Sequence, residues 1–296
     1  MVSIVIPLYN REKTIGMAIA SILNQTYQDF EIVVVDDCSS DRSVEAVKQI
    51  NDDRIRVILC EKNGGACVAR NIGIENSNGD FIAFQDSDDH WHEDKLKKSL
   101  YFMEQKNADF VFSAVVRKGE KGYVKEERIV PSYNLNNEEK PLTKLLCMNC
   151  VSTQTIVAKK EVFKYIQFDK TLPRFQDWDL ALQVLKSGYK MFYIEEPLVD
   201  CFVLEDSITS NYTKGKTALE ILEKKYALDL ENDRDAKYGF YYRSAVMMEK
   251  MDFSGAKYFL EAYRSRKSIG LLLRYFLSCL RLYRPLNKVI SRYMGE

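Results

Sequence analysis

The chain has 296 residues with 43 basic and 43 acidic side chains, a balance that gives no support to a general nucleic-acid binder. Its length exceeds the usual single-domain size, so one large α/β domain with a smaller appendage is expected. Met1 is followed at once by VSIVIPLYN, without the basic lead-in and small-residue cleavage site of a signal peptide, and no run reaches membrane-spanning length. Seven cysteines lack framework spacing, and Cys147 and Cys150 form the only close pair. They read as reduced packing thiols rather than a disulfide or zinc framework.

Residues 2–8 read as a strand ending at Pro7-Leu8-Tyr9-Asn10, followed by a helix with Ile15, Ala18, Ile19, Ile22 and Leu23 on one face. Residues 31–36 form a second buried strand, closed by Asp36-Asp37-Cys38-Ser39-Ser40-Asp41. Val44, Val47 and Ile50 then mark a helix that Ser40 or Asp41 would cap. Residues 54–60 are a third strand, and Gly64-Gly65 opens a helix carrying Val68, Ile72 and Ile74. The fourth strand covers residues 80–85. This alternation predicts an α/β fold with a doubly wound, mostly parallel sheet.

The apolar run Phe81-Ile82-Ala83-Phe84 ends abruptly in Asp86, Asp88 and Asp89. Three acids in four residues repel one another, so they either remain solvated or meet a cation. Oxygen ligands on a short turn suit Mg²⁺ or Mn²⁺, whose shell is completed by water and substrate phosphate. Their position at a strand end favours the ligand reading, because open α/β sheets bind ligands there. Asp36-Asp37 also follows a strand and should converge on the same edge, leaving room for a nucleotide between the two clusters. Arg70 and Asn71 would offer polar contacts to its base, unless Arg70 pairs with one of the aspartates. The glycines form neither GxGxxG nor a Walker A loop.

The order IVIPLYN, VVVDDCSSD, NGGACVARNIG and GDFIAFQDSDD resembles the N-terminal half of family 2 glycosyltransferases of the glycosyltransferase-A fold, the nucleotide-diphospho-sugar transferase type. With the region that follows, the resemblance covers roughly residues 1–205. It implies a sugar-nucleotide donor, inversion at the anomeric carbon, and Mn²⁺ or Mg²⁺ at Asp86-Ser87-Asp88, with Asp88 the direct ligand and Asp86 beside it. It places Asp36 or Asp37 on the uracil or ribose. Pro7, Tyr9, Asn10, Arg70, Asp86 and Ser87 would line the rest of the nucleotide site.

Leu96, Leu100 and Met103 continue a helix, residues 109–116 a strand, and the polar stretch 119–139 a hairpin or mobile excursion. Residues 149–158 resemble the strand lining the family's acceptor side. In Phe175-Gln176-Asp177-Trp178-Asp179-Leu180, Asp177 falls in the first turn of a helix with Leu180, Leu182, Val184 and Leu185 buried. An acceptor hydroxyl needs a carboxylate to remove its proton, and the family uses the aspartate of a Glu-Asp pair. Here the pair reads Gln176-Asp177, so Asp177 keeps the base and the preceding acid is an amide; the competing reading makes Asp177 an N-cap and Asp179 a solvated acid.

Trp91 and Trp178 read as packing residues. His90 and His92, the only histidines, lie either near the metal and diphosphate or on the surface. A strand over 191–194 follows, then a polar segment 204–216 that would close over the diphosphate. Helices start at 217, with a hairpin spanning residues 242–251 and 253–263. Residues 264–296 hold eight basic residues against Glu296, the composition of a helix on an anionic membrane surface or of a packed helix with a basic outer face.

The reading is therefore an inverting, metal-dependent glycosyltransferase moving one sugar, from a UDP-linked donor, to a saccharide or lipid-linked glycan in surface polysaccharide biosynthesis. Residues 1–210 would be catalytic, with 1–110 nucleotide-binding and 111–210 acceptor-binding, and 211–296 a C-terminal helical extension. It would be cytoplasmic, or peripheral on the inner face of the membrane. The absence of Gln-x-x-Arg-Trp argues against a processive synthase. The alternatives are a nucleotidyltransferase of related fold, which would show a glycine-rich loop after the first strand, and an inactive sugar-nucleotide-binding protein.

Overall fold

The computed structural model describes residues 1–119, 128–131, 134–203, 211–284 and 286. Strands β1 (Val2–Leu8), β2 (Phe30–Asp36) and β4 (Phe81–Phe84) are the apolar runs of the sequence, buried on both faces as central parallel strands require. β1 pairs in parallel with both others, Ile4 facing Ile32 on one side and Ala83 on the other. β3 (Ile55–Leu59) is parallel to β2 and forms the edge. Helices α1 (Ile15–Leu23), α2 (Ser43–Lys48) and α3 (Ala66–Glu75) connect these strands.

The other half of the sheet is mixed. β5 (His90–Trp91), α4 (Lys95–Gln105), β6 (Phe110–Gly119), β7 (Arg128–Val130), β8 (Val157–Lys159), α6 (Gln176–Lys186) and β9 (Met191–Val203) complete the order β3-β2-β1-β4-β8-β6-β9-β5, with β7 beside β6; α5 (Pro141–Cys147) precedes β8 in the chain. β8 is antiparallel to β4 and β6, whereas β6 and β9 are parallel. The antiparallel pairing of β6 and β7 gives the expected hairpin its described part; residues 120–127 and 132–133 of that stretch lie outside the described residues.

Several boundaries differ from the sequence reading: the helix expected from residue 242 begins at Arg234, β6 runs on to Gly119, and three further differences have local causes. Residues 149–158 are not one strand: a 3₁₀ turn at Thr153–Thr155 precedes the three-residue β8. Ser152 O accepts both the backbone N–H and the hydroxyl of Thr155, so a local turn displaces the ladder. β9 does not stop at Ile194. Its register against β6 jumps from Ile194 to Pro197, so Glu195-Glu196 bulge out and the strand resumes to Val203. α7 (Tyr212–Lys225) begins earlier than residue 217, because the Asn211 side chain accepts from Lys214 N at 3.0 Å and caps it. Residues 204–210 of the proposed closing segment lie outside the described residues.

The chain clusters into two units. The first comprises Met1–Glu138, Cys150–Thr171 and Gln176–Glu205; the second gathers Glu139–Asn149, Leu172–Phe175 and Asp206–Glu296. The second unit contains α5, α7, α8 (Ala227–Asn232), α9 (Arg234–Lys250), α10 (Ala256–Ser265) and α11 (Ile269–Cys279). Asp233 caps α9, accepting from Asp235 N at 2.9 Å and Ala236 N at 3.0 Å, while its other oxygen accepts from Thr143 of α5. Phe240, Phe259, Ala262 and Leu271 are buried in this unit. Among the described residues no helix is long and apolar enough to cross a membrane.

Candidate active site

The carboxyl ends of β1, β2 and β4 carry loops that hydrogen-bond to one another, as ligand-binding edges of α/β sheets do. After β1, Asn10 N donates to Ser39 Oγ at 3.0 Å, Asn10 Oδ1 accepts from Ser40 N at 2.8 Å, and Arg11 N donates to Ser43 Oγ at 2.7 Å. These bonds clamp the first loop onto the second. Asn10 and Cys38 both sit at positive φ, 50° and 64°, and Phe175 next to Gln176 sits at 61°, left-handed conformations that non-glycine residues hold at a cost where function fixes the backbone.

Both early aspartates are buried, but they are used differently. Asp37 accepts from Gly64 N and Gly65 N at 2.7 Å each, which fixes the turn that opens α3. Gly65 has φ 84°, a conformation that only glycine adopts readily. Asp36 Oδ2 accepts from Ser39 N at 3.1 Å, while Oδ1 is buried with no hydrogen-bond partner among the described residues. An orphaned buried acceptor at this edge suits a ligand hydroxyl or imide. Pro7 is half-buried within β1, and Tyr9 is exposed beside it. Neither Ser40 nor Asp41 caps α2: its N-cap is Arg42, without a side-chain cap hydrogen bond, and Asp41 accepts from Ser43 N at 3.0 Å in the turn before it.

The acidic turn after β4 is crowded. Burial, then the Asp86 charge, push the Asp88 carboxyl up to about 6 against the opposing pull of Arg11. Asp89 is driven well above the carboxylate range by burial, with Asp86 and Asp88 adding to it, and one of its oxygens accepts from Phe202 N at 3.0 Å. Two arginines offset the charge. Arg11 Nε donates to Asp88 at 3.2 Å, and the buried Arg70 donates to Asp86 at 2.7 Å and to Gln176 at 2.9 Å. Ser87 is buried between them.

Among the described residues no set of three His, Cys, Asp or Glu side chains could hold a metal ion. Asp86 and Asp88 nonetheless fit Mg²⁺ or Mn²⁺, because such ions often take only one or two protein carboxylates and complete their shell with water and phosphate oxygens.

Asp177 lies in the first turn of α6, half-buried, with its Oδ1 accepting from Trp178 N at 2.7 Å. Asp179 is not a solvated acid: it is fully buried and accepts from Gln183 Nε2 at 2.7 Å. Through Gln176, Arg70 connects the start of this helix to Asp86. Asn71, by contrast, bonds the backbone N–H and carbonyl of Phe168 at 3.0 and 2.9 Å and is a structural clamp. Trp91 is a packing residue whose Nε1–H meets Gln154 O at 3.1 Å, and His92 lies 3.1 Å from Asp200, itself paired with Lys118.

Sequence reasoning passed over Arg11 and Lys95. Arg11 is adjacent to a motif, and only its contact with Asp88 singles it out. Lys95 is wholly buried, its Nζ lacks a hydrogen-bond partner among the described residues, and it lies 3.9 Å above the Trp91 ring. Burial lowers its pKa to about 7. The ring returns about 2 kcal/mol, less than the several kcal/mol that desolvation costs, so the charge is a net expense.

Lys95→Met should therefore stabilise the fold by about 1–2 kcal/mol near pH 6. The folded pKa lies below the unfolded one, so between about pH 7 and about pH 10 the unfolded chain holds more protons and the parent gains stability as pH rises. The advantage of the variant should shrink across that window. Urea titrations near pH 6 and near pH 9.5 check it, and a constant difference would contradict it.

The mixed sheet and its ligand edge define a glycosyltransferase-A fold. The S. aureus TarS structure in complex with UDP-GlcNAc superposes with TM-score 0.61 at 20% identity, covering 93% of this chain and 91% of that one. The mannosyltransferase PcManGT from Pyrobaculum calidifontis, in complex with GDP-Man and Mn²⁺, gives TM-score 0.61 at 17% identity, covering 98% and 83%. The pattern of glycosyl transferase family 2 matches residues 3–165, and the chain belongs to that family. It is 32% identical over 217 residues to the putative teichuronic acid biosynthesis glycosyltransferase TuaG of Bacillus subtilis, covering 73% of this chain and 84% of that protein. Over 112 residues it is 42% identical to WfgD of Escherichia coli, a UDP-Glc:alpha-D-GlcNAc-diphosphoundecaprenol beta-1,3-glucosyltransferase, covering 38% and 44%.

Proposed function

We propose that this glycosyltransferase is metal-dependent and inverting, and moves a single sugar from a UDP-linked donor to a hydroxyl of a saccharide or lipid-linked glycan in surface polysaccharide biosynthesis. The observation that carries the reading is the Asp86–Arg70–Gln176 chain, which joins the acidic turn to the first turn of α6 and so couples a donor site to a candidate base. The donor class draws on TarS with UDP-GlcNAc and on the UDP-Glc donor in the name of WfgD. The acceptor class draws on WfgD, whose named acceptor is alpha-D-GlcNAc-diphosphoundecaprenol, and on TuaG, and a lipid-linked acceptor would suit work at the inner face of a membrane. Residues 1–210 would form the catalytic region, with 1–110 on the nucleotide and 111–210 on the acceptor, and 211–296 the helical extension.

In this mechanism Asp36 accepts a hydrogen bond from the nucleoside, Asp37 holds the Gly64-Gly65 turn against it, and the β1 loop from Pro7 to Asn10 lines the nucleotide. Mn²⁺ or Mg²⁺ held by Asp88 and Asp86 would offset charge on the departing diphosphate. Arg70 keeps Asp86 and α6 in register. Asp177 takes the proton of the acceptor hydroxyl, whose oxygen attacks the anomeric carbon from the face opposite the diphosphate, which inverts the configuration. Calorimetric titration with UDP, GDP and dTDP, each with and without Mn²⁺, tests the donor site. One nucleotide should bind, and more tightly with metal; no binding by any of them would overturn the assignment.

A further inference from the structure

Helix α11 turns an apolar face to solvent. Ile269, Leu273, Phe276 and Leu280 recur at helical spacing on one stripe and are 83%, 40%, 52% and 66% exposed. The opposite side, including Leu271, Arg274 and Leu277, is buried. A helix apolar all round normally lies inside a core, so an open stripe of this kind needs a cover. The outward face is thus apolar rather than basic, and Arg274 is spent inside, 5.7 Å from the Tyr242 ring.

Charge surrounds the stripe. Residues 264–284 contain six basic side chains and no acid. Arg266 and Lys267 precede α11 and Arg281 follows it, all exposed. Arg264 and Arg284 are offset by Glu261 and Asp252, so the uncovered excess is carried mainly by the other three. Arg266 lies 3.5 Å from Asp235, an exposed pair that solvent screens.

We propose that this stripe docks the protein on an anionic lipid surface, the apolar side chains entering the headgroup boundary while Arg266, Lys267 and Arg281 meet lipid phosphates. A second copy of the chain is the competing occupant. Two such faces would bring like-charged rims together, and that repulsion favours the lipid. The inference extends the lipid-linked acceptor reading, but its test involves no turnover, so either can fail without the other.

The test is co-sedimentation of the full chain with vesicles of phosphatidylcholine, alone or mixed with phosphatidylglycerol, alongside light-scattering mass. Wild type should bind the mixed vesicles roughly tenfold or more tightly, and less so at high salt. Leu273→Glu and Phe276→Glu should each weaken binding by about tenfold or more. Both sites face solvent, so thermal melts should match wild type; Ile269→Glu replaces either variant that melts early. Binding that survives these substitutions overturns the assignment to this face. Absence of vesicle binding also overturns it, and a dimer lost in the same variants would give the stripe to a second copy.

Discussion

Replacing Asp177 by asparagine is expected to lower the rate of sugar transfer by about 10²–10⁴-fold, the usual share of a positioned general base. Asparagine is the informative substitution because Asp177 has two possible occupations. It is the second residue of α6 and not its N-cap, but its Oδ1 accepts from Trp178 N, and an asparagine carbonyl oxygen can accept the same bond. The local bond therefore survives while the proton acceptor is lost. Alanine removes both and should also cost about 1 kcal/mol of stability for the lost hydrogen bond. Nucleotide affinity should remain within about twofold of wild type in the asparagine variant, because the base acts on the acceptor and not on the donor. Transfer assayed with a radiolabelled sugar nucleotide, alongside calorimetry and a thermal melt, separates the cases. An asparagine variant that turns over normally would reduce Asp177 to a structural residue of the first turn.

The fold was legible where burial is dictated by the chain itself. β1, β2 and β4 are apolar on both faces, so their sequences permit little else, and the glycines and acids at their ends mark the loops. Legibility failed where a distant partner decides. Nothing near Ile194 announces that β9 resumes after Glu195-Glu196, because the parallel pairing with β6 rescues it. α5 is short, begins at a proline and contributes only Leu145 and Leu146 to the interior, too little for a periodic signal.

The site divides in the same way. The acids stand out as local clusters at strand ends. Their partners do not, since Arg11 meets Asp88 across 77 residues and Arg70 meets Gln176 across 106. Arg70 pairs with Asp86, one of the two partners its sequence context offers, and the same guanidinium reaches Gln176, which no local pattern shows. Lys95 is invisible for a different reason: a lysine in a helix first turn reads as solvated, and only tertiary packing against Trp91 buries it.

Asp88→Asn should have opposite consequences with and without metal. In the metal-free protein the Asp88 carboxylate is a burden: it is largely buried beside Asp86, and Arg11 compensates at a single 3.2 Å contact. Removing its charge should stabilise the metal-free fold by about 1 kcal/mol, the gain from relieved crowding less the weakened Arg11 pair. With Mn²⁺ and nucleotide present the order should reverse. A ligand that binds only the native state adds stability in proportion to RT ln(1 + [L]/Kd), and the variant forfeits that term because an amide is a poor ligand for a hard cation. Transfer should fall by about 10²–10³-fold, since the departing diphosphate would lose the cation that Asp88 is proposed to hold. Melting curves of both proteins, each with and without Mn²⁺ and the nucleotide that binds, would show the crossing. If metal raises both melting temperatures equally, Asp88 is not the ligand; if the metal-free variant melts earlier than wild type, the Arg11 pair outweighs the crowding and the acidic turn is balanced without a cation.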